Sequence, residues 1–472
     1  MKLWLVFILL HLPLESAMSK NKLHQDTSIL NLSWSAFRTG VLLSAMISLS
    51  TSVVASTQDL TLRQAIDQVN QYQASQNFWE TQNSINATNL QQSKLFKNPE
   101  LSVEQTGFGS NNEKELTIGI SQPLDIFGER KANQKLASLS TDKTALKQKI
   151  YQAQIELAVK YVWSQLAIAE LERNIVNEQL RVSEENLKAI EKRFTAGGIA
   201  QVDVNRARLS HAENIRLFRQ ADLQVQVATQ QLSNLWGTSD KSLQVNLSSQ
   251  KLWPKSTHQQ VQEYLAENYV EKYRALLVLE SQATVDQLRA KARPNPTLNL
   301  GVNRTQSLEN STQNQLVVGV SVPLNIFDRQ QNGIKIAQEK MNLLERQKEF
   351  YLKQNALQIG TILTELQGLE LQFKVVDETQ IPLATQVQSK TLQGFLAGKF
   401  ALTDVQQATL QLQDIRLRKV QLLRDGWQKA IEAESLSLGI SPSEVMSKDA
   451  IAQINQNLWQ DIQAMPVIGG GN

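Results

Sequence analysis

"SQPLDIFGER" (residues 121–130) and "SVPLNIFDRQ" (residues 321–330) decide how this chain is organised. Over the first seven positions of the two stretches, five residues are identical, at an offset of 200. In each stretch a proline, Pro123 or Pro323, follows a run of alternating apolar and polar residues. Proline cannot donate a backbone hydrogen bond, so the run should end there. A proline-broken phrase that returns at this distance predicts a duplicated unit.

Two more pairs of phrases support the duplication. "RFTAGGIAQVDVNRARL" (193–209) resembles "GFLAGKFALTDVQQATL" (394–410), sharing a phenylalanine, a glycine and an aspartate at an offset of 201. "NPELSVEQ" from Asn98 resembles "NPTLNLGV" from Asn295. The three pairs keep their order and nearly their spacing, so we expect two copies of one unit of about 200 residues.

Each copy reads as a leading helix, two strands and a long helical hairpin. The leading helices, at 56–98 and 255–293, are expected to be uninterrupted and to stop at Asn-Pro. Strands are predicted where apolar residues alternate with polar ones. No glycine or proline occurs over 131–194, which as one helix is about 96 Å long. We therefore expect an export signal region at 1–55, a linker at 238–255 and a C-terminal tail at 441–472. The first structural repeat is expected at 56–237, with a strand pair at 99–124 and a helical hairpin at 131–236. The second structural repeat is expected at 256–440, with a strand pair at 296–324 and a helical hairpin at 329–438.

The N-terminal region resembles an export signal. Arg38 precedes an apolar run that ends in small residues at Ala55, a cleavage pattern. A second apolar run lies upstream, so either the signal has a long extension or the true start codon is internal. Cleavage near Ala55 predicts an extracytoplasmic mature protein, with an uncleaved membrane anchor as the alternative.

Composition excludes several classes of function. The chain has no cysteine, four histidines and a formal net charge of +3, so nothing suggests a thiolate metal site or nucleic-acid binding. His211 and His258 are far apart in polar helical sequence, and we expect both to be solvated. No spacing resembles a metal-ligand set or a nucleophile with its base. We expect no enzyme activity, no metal site and no cofactor.

The strands and helices together predict a conduit. Each strand has about the nine to eleven residues that cross a bilayer, with one apolar and one polar face. Four strands cannot close a barrel around a pore, whereas two chains supply eight strands and three supply twelve. We therefore expect an obligate oligomer whose barrel meets lipid and whose long helices continue the wall as a tube.

This pattern resembles the TolC-type outer-membrane efflux proteins from about residue 58 to 440. The matching features are the duplication, the strand pairs, "QPLDIFGERKANQKLA" and the two glycine-containing turn phrases. The resemblance implies a mixed, mainly α fold: a homotrimer with a 12-stranded β-barrel in the outer membrane and a 12-helix periplasmic tunnel. It also implies docking to a periplasmic adaptor (membrane fusion) protein that links the channel to an inner-membrane pump of the resistance-nodulation-division (RND) type. "PLD-x-x-G-x-R" resembles the branch named for cobalt-zinc-cadmium resistance, although Asn325 and Asp328 depart from it in the second copy.

Three sets of candidate residues follow. The helical turns fit a chain reversal that needs positive φ, and the resemblance implies that they also dock the adaptor: Phe194, Gly197, Gly198, Phe395, Gly398 and Lys399. Asp203 and Asp404 are either first-turn helix caps or a charged tunnel gate. The strand-to-helix joint comprises Pro123, Asp125, Phe127, Pro323, Asn325 and Phe327. There we expect Asp125 and Asp328 to cap helices, and the two phenylalanines to pack beneath the barrel rim rather than at an aromatic interface.

The function expected from the sequence is the outer-membrane channel of a tripartite efflux system. Its cargo is expected to be small toxic solutes, heavy-metal cations first and drugs second. The outer-membrane conduit of a type I protein secretion system would share the same architecture and stays open as an alternative. A periplasmic adaptor or a structural coiled-coil protein is the alternative of another class, and the duplication disfavours both.

Overall fold

The computed structural model describes residues 60–108, 113–238, 243, 245, 253–254, 258–307 and 311–463. The predicted export signal, most of the predicted linker and the tail beyond residue 463 lie outside them. Within the described residues the chain is mainly helical with one four-stranded antiparallel sheet, which confirms the predicted fold class. None of the helices in this part of the chain is long and apolar enough to cross a membrane.

The same order of elements occurs twice. The first copy consists of α1 (Leu62–Ala74), α2 (Phe78–Ser93), β1 (Glu100–Thr106), β2 (Lys114–Pro123), α3 (Glu129–Thr195) and α4 (Gln201–Asn234). The second consists of α5 (His258–Glu267), α6 (Tyr269–Ala292), β3 (Thr297–Gln306), β4 (Thr312–Ser321), α7 (Gln331–Val375), a π-helical turn (Val376–Gln380), α8 (Ile381–Leu396) and α9 (Leu402–Leu438). Two short helices follow, α10 (Pro442–Val445) and α11 (Ala450–Gln463).

Each copy begins with two helices, so the expectation of one uninterrupted helix over 56–98 and over 255–293 was wrong. Between α1 and α2 the backbone of Asn77 is left-handed, with φ 51°. Between α5 and α6 the Asn268 side chain accepts a hydrogen bond from the N–H of Glu271 at 2.9 Å. Asparagine tolerates left-handed φ and competes for helical hydrogen bonds, so it interrupts a helix without glycine or proline.

The long hairpins differ by one residue between the copies. α3 runs unbroken for 67 residues, a length of about 100 Å. In the second copy the N–H of Ile381 bonds to the carbonyl of Val376, five residues back, and closes the π turn. The repeated phrases are offset by 200 at the strands but by 201 at the helical turns. The π turn absorbs this extra residue and leads into Pro382, which has no N–H to donate.

The sheet joins the two copies. Its order is β1-β2-β3-β4 and every pair is antiparallel, so β2 of the first copy lies beside β3 of the second. The register aligns the apolar positions of all four strands on one face: Leu101, Val103, Leu116, Ile118, Ile120, Leu298, Leu300, Val302, Leu316, Val318 and Val320. This apolar face is exposed in the single chain; Val103 is 63% and Leu316 77% exposed.

The core lies along α3. Ile155, Val159 and Leu166 are buried at 1%, 0% and 0% exposure, in a cluster that also takes residues from α1, α4, α9, α10 and α11. The segment expected only as a C-terminal tail therefore contributes to the core: Val445 and Ile454 are 0% and 3% exposed. α10 has only four residues, whereas the apolar residues Ile451, Ile454 and Leu458 of α11 recur at helical spacing that is visible in the sequence.

Candidate functional site

The strand-to-helix joint of the first copy is held by Asp125. Its two carboxylate oxygens accept hydrogen bonds from the backbone N–H groups of Glu129 and Arg130, both at 2.8 Å. These are the first N–H groups of α3 and lack helical partners, so the carboxylate caps the helix. Pro123 closes β2 opposite Thr297. Gly128, with φ 80°, makes the reversal that lets the chain enter α3.

The second copy builds the same joint differently. Asn325, which stands where Asp125 stands in the first copy, donates from Nδ2 to the carbonyl of Ala292 at 2.9 Å. Asp328 replaces the glycine and accepts a hydrogen bond from the N–H of Gln330 at 2.8 Å. The left-handed position moves to Gln330, with φ 57°, and α7 begins immediately after it. Pro323 lies two residues beyond the end of β4.

The two phenylalanines of the joint have different surroundings. Phe127 is half-buried, and the guanidinium carbon of Arg293 lies 5.7 Å from its ring centroid. Phe327 is 92% exposed, so the expectation that it packs was wrong for the single chain. The second copy places no helix against it, and only contact with lipid or another molecule would remove this ring from water.

The turns between the long helices end in the same backbone motif. Gly197 and Gly398 have φ 75° and 74°. The N–H of Gly198 donates to the carbonyl of Arg193 at 2.9 Å, and the N–H of Lys399 donates to the carbonyl of Gly394 at 2.8 Å. This is the Schellman arrangement, in which a left-handed glycine lets the last helical carbonyls find donors.

The structure brings the two turns together. A small cluster joins them, formed by the buried residues Ile190, Val204, Ala207, Phe395 and Val405. The guanidinium carbon of Arg193 lies 4.4 Å from the ring centroid of Phe395. Phe395 is only 3% exposed, so its assignment to a docking surface was wrong for the single chain: the side chain packs the two turns together. Phe194, its counterpart, is 37% exposed.

Exposed apolar side chains near the turns extend beyond the six docking residues named from the sequence. They are Val202, Leu209, Leu396, Phe400 and Leu410, exposed between 49% and 73%. Leu209 and Leu410 are equivalent positions of the two copies, and both line a groove of 360 Å³ between the hairpins. The signal was present in the repeat itself, because both copies keep a leucine six residues after the aspartate.

Asp203 and Asp404 lie in the first turns of α4 and α9, where a carboxylate interacts favourably with the helix dipole. Asp404 Oδ2 accepts a hydrogen bond from the N–H of Ala401 at 2.9 Å. Asp203 lies 3.6 Å from the guanidinium of Arg206. These contacts fit the capping interpretation.

A buried ion pair links the copies far from the turns. Lys160 Nζ on α3 lies 3.0 Å from Glu434 on α9 and 3.2 Å from Glu156. Burial alone lowers the pKa of Lys160, but the charges of Glu434 and Glu156 outweigh it and hold the pKa above its ordinary value. Lys160 is therefore charged over the physiological range.

The described histidine and acidic side chains do not gather into a metal-ligand set. The Nδ1 of His211 lies 3.0 Å from the hydroxyl of Ser183, and the side chain of His258 is not described. In the parts of the chain with described placement, no three or more His, Asp or Glu side chains come together as metal ligands would.

Comparison with known proteins connects this geometry to a family. The family described as "Outer membrane efflux protein" matches residues 84–238 and 274–433. The cobalt-zinc-cadmium resistance protein CzcC of Cupriavidus metallidurans is 25% identical over 347 residues, covering 72% of this chain and 81% of that protein.

Solved structures share the fold. The outer membrane protein VceC of Vibrio cholerae aligns with a TM-score of 0.63 at 16% identity, covering 82% of this chain and 97% of its own. The Campylobacter jejuni CmeC outer membrane channel aligns with a TM-score of 0.59 at 14% identity, covering 83% and 89%. The resemblance stated from the sequence is thus confirmed. The chain belongs to the outer membrane efflux protein family and is an outer-membrane protein with a periplasmic helical part.

Proposed function

We propose that this chain is the outer-membrane channel of a tripartite efflux system, a passive homotrimeric conduit. It carries small toxic solutes, heavy-metal cations first, from a periplasmic adaptor and an inner-membrane RND pump to the exterior. The observation that carries the proposal is the sheet, whose aligned apolar face is exposed in the single chain. The boundaries of the two repeats, 56–237 and 256–440, and the export signal at 1–55 belong to the same proposal.

The open edges of the sheet require association with other copies, and the family resemblance implies that there are three of them. β1 and β4 are its outer strands, and each has backbone groups on one side that the other three strands do not pair. Lipid offers no hydrogen bonds, so an open edge is costly within a bilayer. Because the four strands alternate in direction, β4 of one copy fits antiparallel against β1 of the next. Three copies then give twelve strands around a water-filled lumen.

The adaptor surface is assigned to the helical turns and the groove beside them. The groove holds 360 Å³ between the two hairpins of one chain and is bordered by Leu209 and Leu410. These leucines are 73% and 62% exposed, unlike Phe395, which is 3% exposed. An apolar groove between helices suits the apolar face of a helix from the adaptor.

The cargo is proposed from the similarity to the cobalt-zinc-cadmium resistance protein. In this proposal the pump and the adaptor select the cargo. The conduit supplies a passage and carries out no chemical step. The same architecture would serve a protein secretion system, and the transport experiment distinguishes the two.

A deletion strain complemented with this chain provides the test. We expect complementation to lower cellular zinc, cobalt and cadmium, and the detergent-extracted protein to have the mass of a trimer. The variant Leu209→Glu/Leu410→Glu should stay trimeric but lose efflux and cross-linking to the adaptor. The control Leu223→Glu, at an exposed position of α4 farther from the turn, should keep both. A monomeric extract, or export of a protein toxin without any effect on metal content, would contradict the proposal.

A further inference from the structure

A cavity of 830 Å³ lies between α1, α2, α3 and α11, away from the sheet and the helical turns. Its volume is within the range of small-molecule binding pockets. Five aromatic side chains line it, among residues that are mostly polar: Tyr72, Phe78, Trp79, Tyr151 and Trp459. Conduction through a lumen does not require this cavity.

The break between α1 and α2 builds the aromatic wall. The left-handed Asn77 starts α2 and places Phe78 and Trp79 side by side, with ring centroids 5.0 Å apart. The ring of Trp459 on α11 lies 5.8 Å from that of Phe78, and the ring of Tyr151 lies 5.6 Å from that of Trp79. Trp459 remains 60% exposed. The wall is therefore preformed, with an aromatic surface open to solvent at its edge.

Apart from Glu80, the polar side chains that line the cavity are uncharged hydrogen-bonding groups. The hydroxyl of Tyr151 donates to Gln73 Oε1 at 2.8 Å and lies 2.7 Å from Asn455 Oδ1. Burial raises the pKa of Tyr151 to about 12, so this hydroxyl stays neutral. The indole Nε1 of Trp79 is buried and has no hydrogen-bond partner in the structure. An unpaired buried donor is costly, and a bound acceptor oxygen would satisfy it.

The low charge of the cavity lining favours an uncharged ligand. Glu80 is the only charged residue among the side chains that line this cavity. By contrast, the 280 Å³ cavity around Lys160 is lined by Lys149, Glu156, Glu267 and Glu434 as well. A neutral site that combines aromatic faces with several amide groups suits a ligand with apolar ring faces and a polar rim. Saccharides have this combination, because their axial C–H groups pack on aromatic rings and their hydroxyls bond to amides.

The position of the cavity indicates which saccharide. Tyr151 follows the membrane end of α3 at Glu129 by 22 residues, about 33 Å along the helix. The cavity is therefore on the periplasmic part of the protein, the compartment that contains the glycan of the cell wall. We propose that the cavity binds a glycan strand of N-acetylated amino sugars. A sugar ring stacks on Trp459, and an acetamido carbonyl accepts the hydrogen bond of Trp79 Nε1.

Binding to the full-length trimer in detergent tests this site without any transport. The probe is chitotriose, three linked N-acetylglucosamine units, measured by titration calorimetry. Maltotriose, which has no acetamido group, is the matched sugar. We expect saturable binding of chitotriose, with maltotriose about tenfold weaker. Purified cell-wall sacculi should also pull down the trimer in a sedimentation assay.

Two variants and one control test the proposed sugar contacts of Trp459 and Trp79. Trp459→Ala should weaken chitotriose binding about tenfold, because it removes the stacking surface. Trp79→Phe keeps a ring but removes the donor, so it should abolish the preference for chitotriose over maltotriose. Phe350→Ala, at a 70% exposed aromatic on α7, should bind as the unmodified chain does. All three proteins must keep the trimer mass and the circular dichroism of the parent.

Several results would overturn the inference. These are the absence of saturable chitotriose binding, equal binding by Trp459→Ala and Phe350→Ala, and an unchanged sugar preference in Trp79→Phe. A disulfide between copies of a Gln76→Cys variant would show that a second copy fills the cavity, and would equally overturn it. The natural chain has no cysteine, so such a disulfide could form only between the introduced cysteines of two copies. Efflux that continues in a variant without sugar binding would leave the conduit proposal intact.

Discussion

The two copies agree at the turns of their long hairpins and differ between joint and turn. At the helical turns, Gly197 and Gly398 have nearly the same φ and the same pair of backbone hydrogen bonds. Between joint and turn, the unbroken α3 corresponds to α7 and α8 separated by a π turn. A helix pair accommodates an added residue in its middle by a local bulge, whereas a turn has one solution for its backbone. The constraint shared by both copies is therefore at the turns.

The contact between the copies shows a second difference. Lys160 on α3 pairs with Glu434 on α9 in the interior. By the offsets of 200 before the π turn and 201 after it, the equivalent positions of the other copy are Gly360 and Ser233, which carry no charge. One contact between the copies thus has a buried ion pair, and the equivalent contact has none. The pair tests whether the hairpins depend on interior charge or only on their ends.

Breaking this pair should give the largest effect. Glu434→Leu leaves Lys160 with one carboxylate, that of Glu156, whose side chain is 46% exposed, and with the nearby ring of Tyr264. Removing one partner of a buried pair costs about 3–5 kcal/mol, and the remaining Glu156 places the expected loss at the lower end of this range. Denaturant titration followed by circular dichroism measures the loss.

The double variant Lys160→Met/Glu434→Leu is the control. It should recover the stability of the natural chain or exceed it, because apolar packing replaces a desolvated pair. The raised pKa of Lys160 also fixes the sign of the pH dependence. Stability from the pair is fully present below the ordinary lysine value of 10.5 and is lost as the pH rises through the raised value. A double variant as unstable as the single one would show that the loss comes from packing.

The helical turns should show equal effects in the two copies. A valine at Gly197 or at Gly398 must adopt positive φ, which costs about 1–2 kcal/mol for a residue with Cβ. We expect both variants to lose similar stability in the same denaturant titration. Gly198→Ala is the control, because this glycine does not have positive φ and its added Cβ would lie 3.4 Å from the Arg193 carbonyl. Unequal losses at the two turns would contradict their equivalence.

The joints should show a smaller and unequal effect. Asp125→Ala removes a cap that accepts two N–H groups, and we expect a loss of about 1 kcal/mol. Asn325→Ala removes one hydrogen bond to Ala292 and should cost less, about 0.5 kcal/mol. Thermal unfolding of the two variants in the same detergent gives the comparison. The reverse order would mean that the second joint, not the first, depends on its side chain.

The sequence was sufficient for the features that local chemistry determines. The strands follow from period-two alternation, their ends from proline, and the turns from glycine at positive φ. Asp125 caps α3 because a carboxylate three or four residues before a helix meets its free N–H groups. The asparagines that break the leading helices were less visible, since asparagine is also common inside polar helices.

What the sequence did not contain is the set of contacts between distant elements. Phe194 and Phe395 are equivalent in the repeat, yet one is half-exposed and the other buried, because only Phe395 faces the opposite turn. Phe327 lacks a partner that Phe127 finds in Arg293. The helices α10 and α11 gain stability from α3 rather than from their own short sequences. These features depend on the assembled chain.

The faces of the sheet provide the most direct test of the central claim, that the chain forms part of a membrane channel. Because the chain has no cysteine, single cysteines at Ile118 and Val302 report on the apolar face, and those at Thr117 and Asn303 on the polar face. In outer membranes, a water-soluble thiol reagent should label Thr117→Cys and Asn303→Cys. A lipid-dissolved reagent should label Ile118→Cys and Val302→Cys. Equal labelling of all four variants by the water-soluble reagent would contradict the account.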